Sequence, residues 1–348
     1  MPERYVLVLA GGRGERFWPW SQPQRPKQLL PLARNGRSLL AAAFERAMRM
    51  VPSADHVLVM TALDLKEAVR RECPGAVVLG EPVPRNTAPA IAAACAWIPA
   101  GSAFAVLPAD HAIDDLEAFT RDCARAFDRA EREPVLITHG IRPAGPDTNF
   151  GYVRRGAELG ERIYRAARFT EKPEAARARE YVASGEYLWN CGIFVWRQSV
   201  FLDALEAGRP ALAHALRNLA FSGGESGFED RLRQVFPALE SISVDYAVLE
   251  KAPNVLVLEA AFDWDDLGSW SAWARRQPRD ERGNVAYGEA VVVDCDDCVV
   301  VGEGGTAAAM GLSGMVVVHV NGATLSCPVA ASEGVRRVSE AVRMRGGR

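Results

Sequence analysis

Three glycines in four positions, in L-A-G-G-R-G-E-R-F-W-P-W from Leu9 to Trp20, follow the apolar run Y-V-L-V-L, and Arg13 and Arg16 lie beside them. Lys27 comes next, in R-P-K-Q-L-L-P-L. A glycine turn at the carboxyl end of a strand exposes backbone N–H groups, and with three nearby cations it suits a polyphosphate. It is not a P-loop, because no Gly-Lys-Ser/Thr follows. It is not a dinucleotide turn either, since Gly12 and Gly14 would need a third glycine where Phe17 stands. An ordinary strand-to-helix turn with solvated arginines stays open. A further chemical group is Asp110 in F-A-V-L-P-A-D-H, just past a strand, where open α/β sheets bind ligands. An acid there can hold Mg²⁺ or can simply form the turn. His111 has no partner at ligand spacing, so a structural role is expected for it.

The elements that must position these groups are short β-branched runs alternating with helical patterns. Runs starting at Val57, Ala76, Phe104 and Val135 accompany the first strand. Helices are expected over Ser38–Met50, Thr87–Trp97, Leu116–Arg132, Pro173–Ser184 and Val244–Lys251. The second of these, with Thr87 as its N-cap, is apolar nearly all round and must be buried. The alternation predicts an α/β domain with a Rossmann-like, mainly parallel mixed sheet flanked by helices. After about Asp280 the texture changes to valine runs separated by Gly and Asp, with a helix expected only at Ser332–Arg345. This predicts a catalytic domain over 1–282 and a small β-rich domain over 283–348, with spacings that hint at β-solenoid coils.

Composition narrows the class. The 348 residues carry a net charge of −3, with 49% hydrophobic and 24% charged residues, ordinary values for a globular chain. No basic footprint for nucleic acid exists, so a phosphate ligand must be met by a local cluster of cations. No apolar run is long enough for a membrane span and no signal-peptide pattern begins the chain, so a cytoplasmic protein is expected. Seven scattered cysteines suggest reduced thiols. The close pair in C-D-D-C, Cys295 and Cys298, reads as a turn between strands, with a zinc half-site as the alternative.

The segment L-A-G-G-R-G-E-R-F-W-P-W-S followed by P-K-Q at Pro26–Gln28 resembles the signature of the sugar-nucleotide pyrophosphorylases, the nucleotidyltransferases acting on sugar 1-phosphates. Its W-P and P-K-Q forms are similar to their mannose-1-phosphate guanylyltransferase branch. The resemblance covers roughly residues 5 to 280. It implies that Leu9, Gly11, Gly12 and Gly14 wrap a nucleoside triphosphate, and that Arg16 and Lys27 neutralise its phosphates. G-E-P-V-P-R-N-T-A-P from Gly80 is similar to the base-recognising segment, which makes Glu81, Asn86 and Thr87 candidates for guanine contacts. A carboxylate such as Glu81 can accept from the N1–H and N2 amino groups of guanine.

P-A-D-H resembles the family's metal motif, and F-D-W-D-D-L-G-S-W from Phe262 resembles its W-x-D-x-G sequence. Asp110 and Asp266 would then hold Mg²⁺, although three acids in four positions also suit a solvated turn. On the sugar side the resemblance implies Gly151 in T-N-F-G-Y-V, Glu171 and Lys172 in F-T-E-K-P, Asn190 in W-N-C-G and Asp245 in S-V-D-Y. Lys172 would take the sugar phosphate, whereas Asp245 can equally be read as a helix cap.

The implied reaction is transfer of GMP from GTP to α-D-mannose 1-phosphate, giving GDP-mannose and pyrophosphate, by a homodimer that uses neither nucleic acid nor membrane. Another base or hexose, such as dTTP or UTP with glucose 1-phosphate, is the alternative within the class; a non-catalytic regulatory subunit is the alternative outside it. Some members carry a further isomerase domain of the cupin type, and from its length this chain is expected to lack that activity. The tail is expected to form an oligomer contact or a lid.

Overall fold

The computed structural model describes residues 3–12, 14–217, 219 and 224–345. The chain divides into two compact units, neither continuous in sequence. Met1–Gly11, Ala43–Ala109 and Ile113–Trp264 form the first; Gly12–Ala42, Asp110–Ala112 and Asp265–Arg348 form the second.

Among the described residues the first unit is built on nine strands: β1 (Arg4–Ala10), β2 (Val57–Ala62), β3 (Val77–Glu81), β4 (Ala103–Pro108), β5 (Leu136–Ile141), β6 (Gly151–Glu158), β7 (Ile163–Thr170), β8 (Tyr187–Arg197) and β9 (Val255–Glu259). They form one mixed sheet in the order β3-β2-β1-β4-β8-β5-β9-β7-β6. The first four of that order are parallel. They are continuous apolar runs buried on both faces, as parallel strands must be when helices cover both sides. Beyond β4 the pairing is antiparallel except for β5 with β9. The parallel character expected from the sequence therefore belongs to the half that leads into the glycine turn.

In chain order the helices are α1 (Leu39–Met48), α2 (Lys66–Glu72), α3 (Thr87–Ala94), α4 (Leu116–Arg132), α5 (Ala175–Ser184), α6 (Gln198–Gly208), α7 (Pro210–Arg217), α8 (Gly224–Val235), α9 (Trp270–Arg275) and α10 (Val335–Met344). Among the described residues none is long and apolar enough to cross a membrane. Helix α3 is buried along Ala88–Ala94, as its composition requires. Its cap is Asn86 rather than Thr87: Asn86 Oδ1 accepts from Thr87 N at 2.8 Å, with Asn86 at φ 67°. Asparagine tolerates that left-handed backbone better than a β-branched residue does. The helix expected over Val244–Lys251 is a single wide π-type turn, Asp245–Leu249, with Glu250 N bonded to Asp245 O at 3.0 Å.

The second unit has its own core, in which Phe17, Trp20, Leu30 and Leu32 meet Trp270 and Trp273 and the valines of the tail, Val285, Val299, Val301, Val316 and Val318. Trp20 and Trp270 stack with ring centroids 5.8 Å apart, and Phe17 lies 5.1 Å from Trp270. The Trp20 indole N–H is satisfied by Glu303 Oε2 at 2.7 Å. The tail forms a four-stranded sheet of β10 (Val285–Val293), β11 (Val299–Met310), β12 (Met315–Val320) and β13 (Ala323–Pro328). Val285 pairs with Val299 and Val299 with Val316, both in parallel, without a helix between. An ordinary parallel crossover needs a dozen or more residues. The short links here, such as 294–298, mean that successive coils of chain lie beside each other as in a β-helix. Cys295 and Cys298 occupy that link with both thiols buried, and Asp294 and Asp297 turn the backbone at φ 51° and 50°.

Because the glycine turn and the tail share this aromatic core, Trp270→Ala should lower the stability of the second unit by about 3–5 kcal/mol. Urea unfolding followed by tryptophan fluorescence measures it; a loss below about 1 kcal/mol would show that the cluster is not what holds the turn to the tail.

Candidate functional site

Within the second unit a cleft of about 390 Å³ is lined by Gly14, Glu15, Arg16, Phe17, Lys27, Asp110, His111, Asp266, Leu267, Gly268 and Arg336. Pro26 precedes the 3-10 turn Lys27–Leu29, which carries the Lys27 side chain inward until only 8% of it is exposed. Its ammonium donates to Asp110 Oδ2 at 2.9 Å and to the Asp266 backbone carbonyl. Gly14, at φ 57°, permits this approach, because a Cβ there would fall 2.1 Å from Lys27 Cβ. Arg16 Nη1 donates to Gly268 O at 3.2 Å and is otherwise exposed. A Cβ on Gly12 would meet nothing within 4 Å, and Arg13 lies outside the described residues.

Asp110 and Asp266 of this cleft differ in their proton affinity. Burial would raise Asp110, but the Lys27 ammonium and His111 hold it well below the usual carboxylate range, at about 2. Asp266 is shifted upward by burial and by the neighbouring Asp265 and Asp110 charges, against the pull of Lys27 and Arg16. Asp110 is therefore an anion at any physiological pH.

In the first unit the sugar-side candidates do come together. Glu171 Oε1 accepts from Lys172 Nζ at 2.6 Å, and Lys172 is held at φ 44°. Gly151 lies so close that a Cβ would fall 2.5 Å from Glu171 Oε2. Asn190 is fixed on both sides of its amide: Nδ2 donates to Asp245 Oδ1 and Oδ1 accepts from Thr138 Oγ1, both at 2.8 Å. Burial and the Glu171 charge push the Asp245 carboxyl upward. The Lys172 ammonium loses by burial but gains more from Glu171, so its proton is held more firmly than usual.

The base-side candidates divide. Glu81 ends β3, with Oε1 4.0 Å from where a Cβ on Gly11 would be, and burial alone raises its carboxyl to about 8. Leu9 is tied through its carbonyl to Ala109 N at 3.0 Å. Asn86 and Thr87 already have partners: Asn86 caps α3, and Thr87 Oγ1 accepts from Val244 N at 2.8 Å. Sequence reasoning missed the support beneath Glu81. Glu229 of α8 takes a short ion pair from the buried Lys66 and accepts from Gly80 N at 3.2 Å, fixing the residue before Glu81. It also missed Glu250, whose Oε1 accepts from Glu171 N at 3.0 Å.

A family model described as nucleotidyl transferase matches residues 5–283. The chain belongs to the nucleotidyl transferase family. A model of the mannoseP isomerase/GMP-like beta-helix domain matches residues 288–342, in agreement with the coiled tail. The chain is 36% identical to the xanthan biosynthesis protein XanB of Xanthomonas campestris, over 98% of this chain and 73% of that protein. It is 35% identical to a mannose-1-phosphate guanylyltransferase of Klebsiella pneumoniae, over 96% of this chain and 73% of that protein. Among solved structures it is similar to one described as mannose-1-phosphate geranyltransferase from Thermus thermophilus. The TM-score is 0.86 at 37% identity, covering 98% of this chain and 99% of that one.

For this nucleotidyl transferase the missed cleft residues are Glu15 and Arg336. Glu15 was visible inside the glycine motif, as an acid where phosphate binding favours cations. Arg336 gave no local signal, being one of two adjacent arginines early in an amphipathic helix.

The raised carboxyl of Glu81 has a consequence for stability. The folded form binds its proton more tightly than the unfolded form, so this contribution is complete below about pH 4.5 and lost as pH rises through about 8. Glu81→Gln should remove it, improving stability relative to the parent by on the order of a few kcal/mol between acidic and alkaline pH. Urea titrations of both proteins across that range test this, and parallel pH profiles would refute the buried protonated carboxyl.

Proposed function

We propose that this nucleotidyl transferase moves GMP from GTP to α-D-mannose 1-phosphate, giving GDP-mannose and pyrophosphate. The observation that carries the substrate pair is the likeness, along nearly the whole chain, to the Klebsiella protein named for that activity. The cleft supports the reaction type, with a buried ammonium, an exposed guanidinium and an always-ionised acid around one cavity.

A sugar-phosphate oxygen forms a bond to the α-phosphorus as the bond from that phosphorus to the bridging oxygen breaks, and pyrophosphate leaves with the electron pair. One phosphoanhydride replaces another, so the reaction is close to balanced and reversible. Arg16 and Lys27 neutralise the departing pyrophosphate, with the backbone of Leu9, Gly11, Gly12 and Gly14 along the triphosphate. Lys172 exchanges Glu171 for the incoming phosphate, while Asn190, Asp245 and Glu171 orient the hexose. With Asn86 and Thr87 bonded elsewhere, reading of the guanine edge falls to Glu81, whose proton affinity drops when N–H donors reach it.

Asp110 and Asp266 suit a hard divalent cation. Mg²⁺ takes one or two carboxylates from a protein and completes its shell with substrate phosphates. A pair of carboxylates rather than a closed cage is what the cleft offers, for among the described residues no three His, Cys, Asp or Glu groups converge as a metal site. Asp266 is raised first by burial, and the Asp265 and Asp110 charges that add to it are what such an ion would offset. When bound, it supplies charge neutralisation at the phosphates. The cytoplasmic setting and the homodimer expected from the sequence belong to the same reading.

Pyrophosphate release measured with four nucleoside triphosphates and several hexose 1-phosphates in Mg²⁺ tests this proposal. GTP with mannose 1-phosphate should be the best pair; equal or faster release with dTTP or UTP and glucose 1-phosphate overturns the assignment. Asp110→Asn should lower turnover by about a hundredfold or more, by analogy with loss of one preorganised charge, and near-normal turnover in that variant would remove Asp110 from the metal.

A further inference from the structure

The cleft of the second unit has a charge balance that the glycine motif does not explain. Its lining carries the cations Arg16, Lys27 and Arg336 and the carboxylates Glu15, Asp110 and Asp266, formally equal in number. Lys27 is already paired with Asp110. One of the three cations of the lining therefore comes from the C-terminal helix α10.

Arg336 is 66% exposed, and its contacts are made through Nε. Nε donates to Glu340 Oε1 at 2.9 Å and lies 3.5 Å from Glu15 Oε2. Glu15 is 20% exposed and is independently held by Arg343, which donates from Nη1 to Glu15 Oε1 at 2.7 Å. A guanidinium has five N–H donors in a planar fork matched to phosphate oxygens, so the single nitrogen used here leaves an outer fork for a ligand. Because Arg343 keeps Glu15 neutralised, Arg336 can leave that carboxylate without stranding it.

We propose that Arg336 is a ligand of the pyrophosphate portion of the nucleotide, and that Glu340 and Glu15 are its counter-ions until a polyphosphate enters. This rests on the triphosphate reading of the cleft. The β-helix tail then contributes a binding residue to the transferase reaction as well as packing beneath the glycine turn.

Calorimetric titration of the full chain with magnesium pyrophosphate, together with KM values for GTP and mannose 1-phosphate, tests the proposal. Arg336→Gln should weaken pyrophosphate binding and raise the KM for GTP by about tenfold or more, with the KM for mannose 1-phosphate unchanged. Arg336→Lys should fall between the two. Glu15→Gln should tighten pyrophosphate binding, by about threefold, since it removes a like charge. Arg337→Gln, the neighbouring arginine on α10, should leave binding unchanged and so controls for net charge. A merely structural clamp would weaken binding on loss of either partner, so parallel losses in Glu15→Gln and Arg336→Gln overturn the proposal, as does pyrophosphate binding by Arg336→Gln within about twofold of the parent. A parent protein that binds no pyrophosphate overturns both this inference and the triphosphate reading. An unchanged KM for GTP in Arg336→Gln defeats this inference alone. The expected binding pattern without mannose 1-phosphate turnover defeats only the proposed function.

Discussion

The second unit depends on one buried ammonium. Lys27 joins its three separate stretches of sequence, being itself in Gly12–Ala42, bonding Asp110 in Asp110–Ala112 and bonding the Asp266 carbonyl in Asp265–Arg348. An ammonium with 8% exposure requires such partners, since taking a charge out of water costs several kcal/mol unless it is paired. Two other features follow from that requirement. Position 14 must be glycine, because the Lys27 stem occupies the space of any side chain there. The Asp266 backbone must turn its carbonyl toward Lys27, which leaves its carboxylate to face the cleft.

From this arrangement the acids acquire different characters without any difference in residue type. Asp110, against Lys27, is held ionised; Asp266 is pushed the other way by burial, with the charges of two other acids adding to it. In the first unit Glu81 and Asp245 are both raised, Glu81 by burial alone and Asp245 by burial with Glu171 beside it. Environment thus divides these carboxylates into permanent anions and groups whose charge can respond to a ligand, the pattern by which one fold assigns distinct roles to chemically identical side chains.

Much of this was legible locally. The strand before the glycine turn, the buried character of α3, the α/β alternation and the change of texture at the tail are all properties of short windows. So is the glycine–arginine–lysine grouping. What escaped depends on contacts distant in sequence. Thr87 and Asn86 are both cap residues by type; Asn86 caps, while the Thr87 hydroxyl accepts from Val244 N, 157 positions away. Helix α6 follows β8 directly with no side-chain cap, so its start carries no punctuation. Strands β6 and β7 keep many exposed polar residues, which blurs the alternation that marks a strand. The turn at Asp245 has helical composition, yet it closes with a wider ring.

The tail shows the same limit more sharply. Its valine runs hinted at coiled strands, but nothing within them says what their inner faces cover. That partner is Trp20 and Phe17 from the glycine motif, together with Trp270 and Trp273 that follow the W-x-D-x-G segment. Aromatic residues that look like part of a nucleotide signature are thus packing residues, and they bring the turn under the control of a domain nearly three hundred residues downstream. Once that packing is in place, α10 is bound to lie beside the turn, with Arg343 and Arg336 on Glu15. Charge in the cleft is then set by residues from both ends of the chain, which a motif confined to either end cannot reveal.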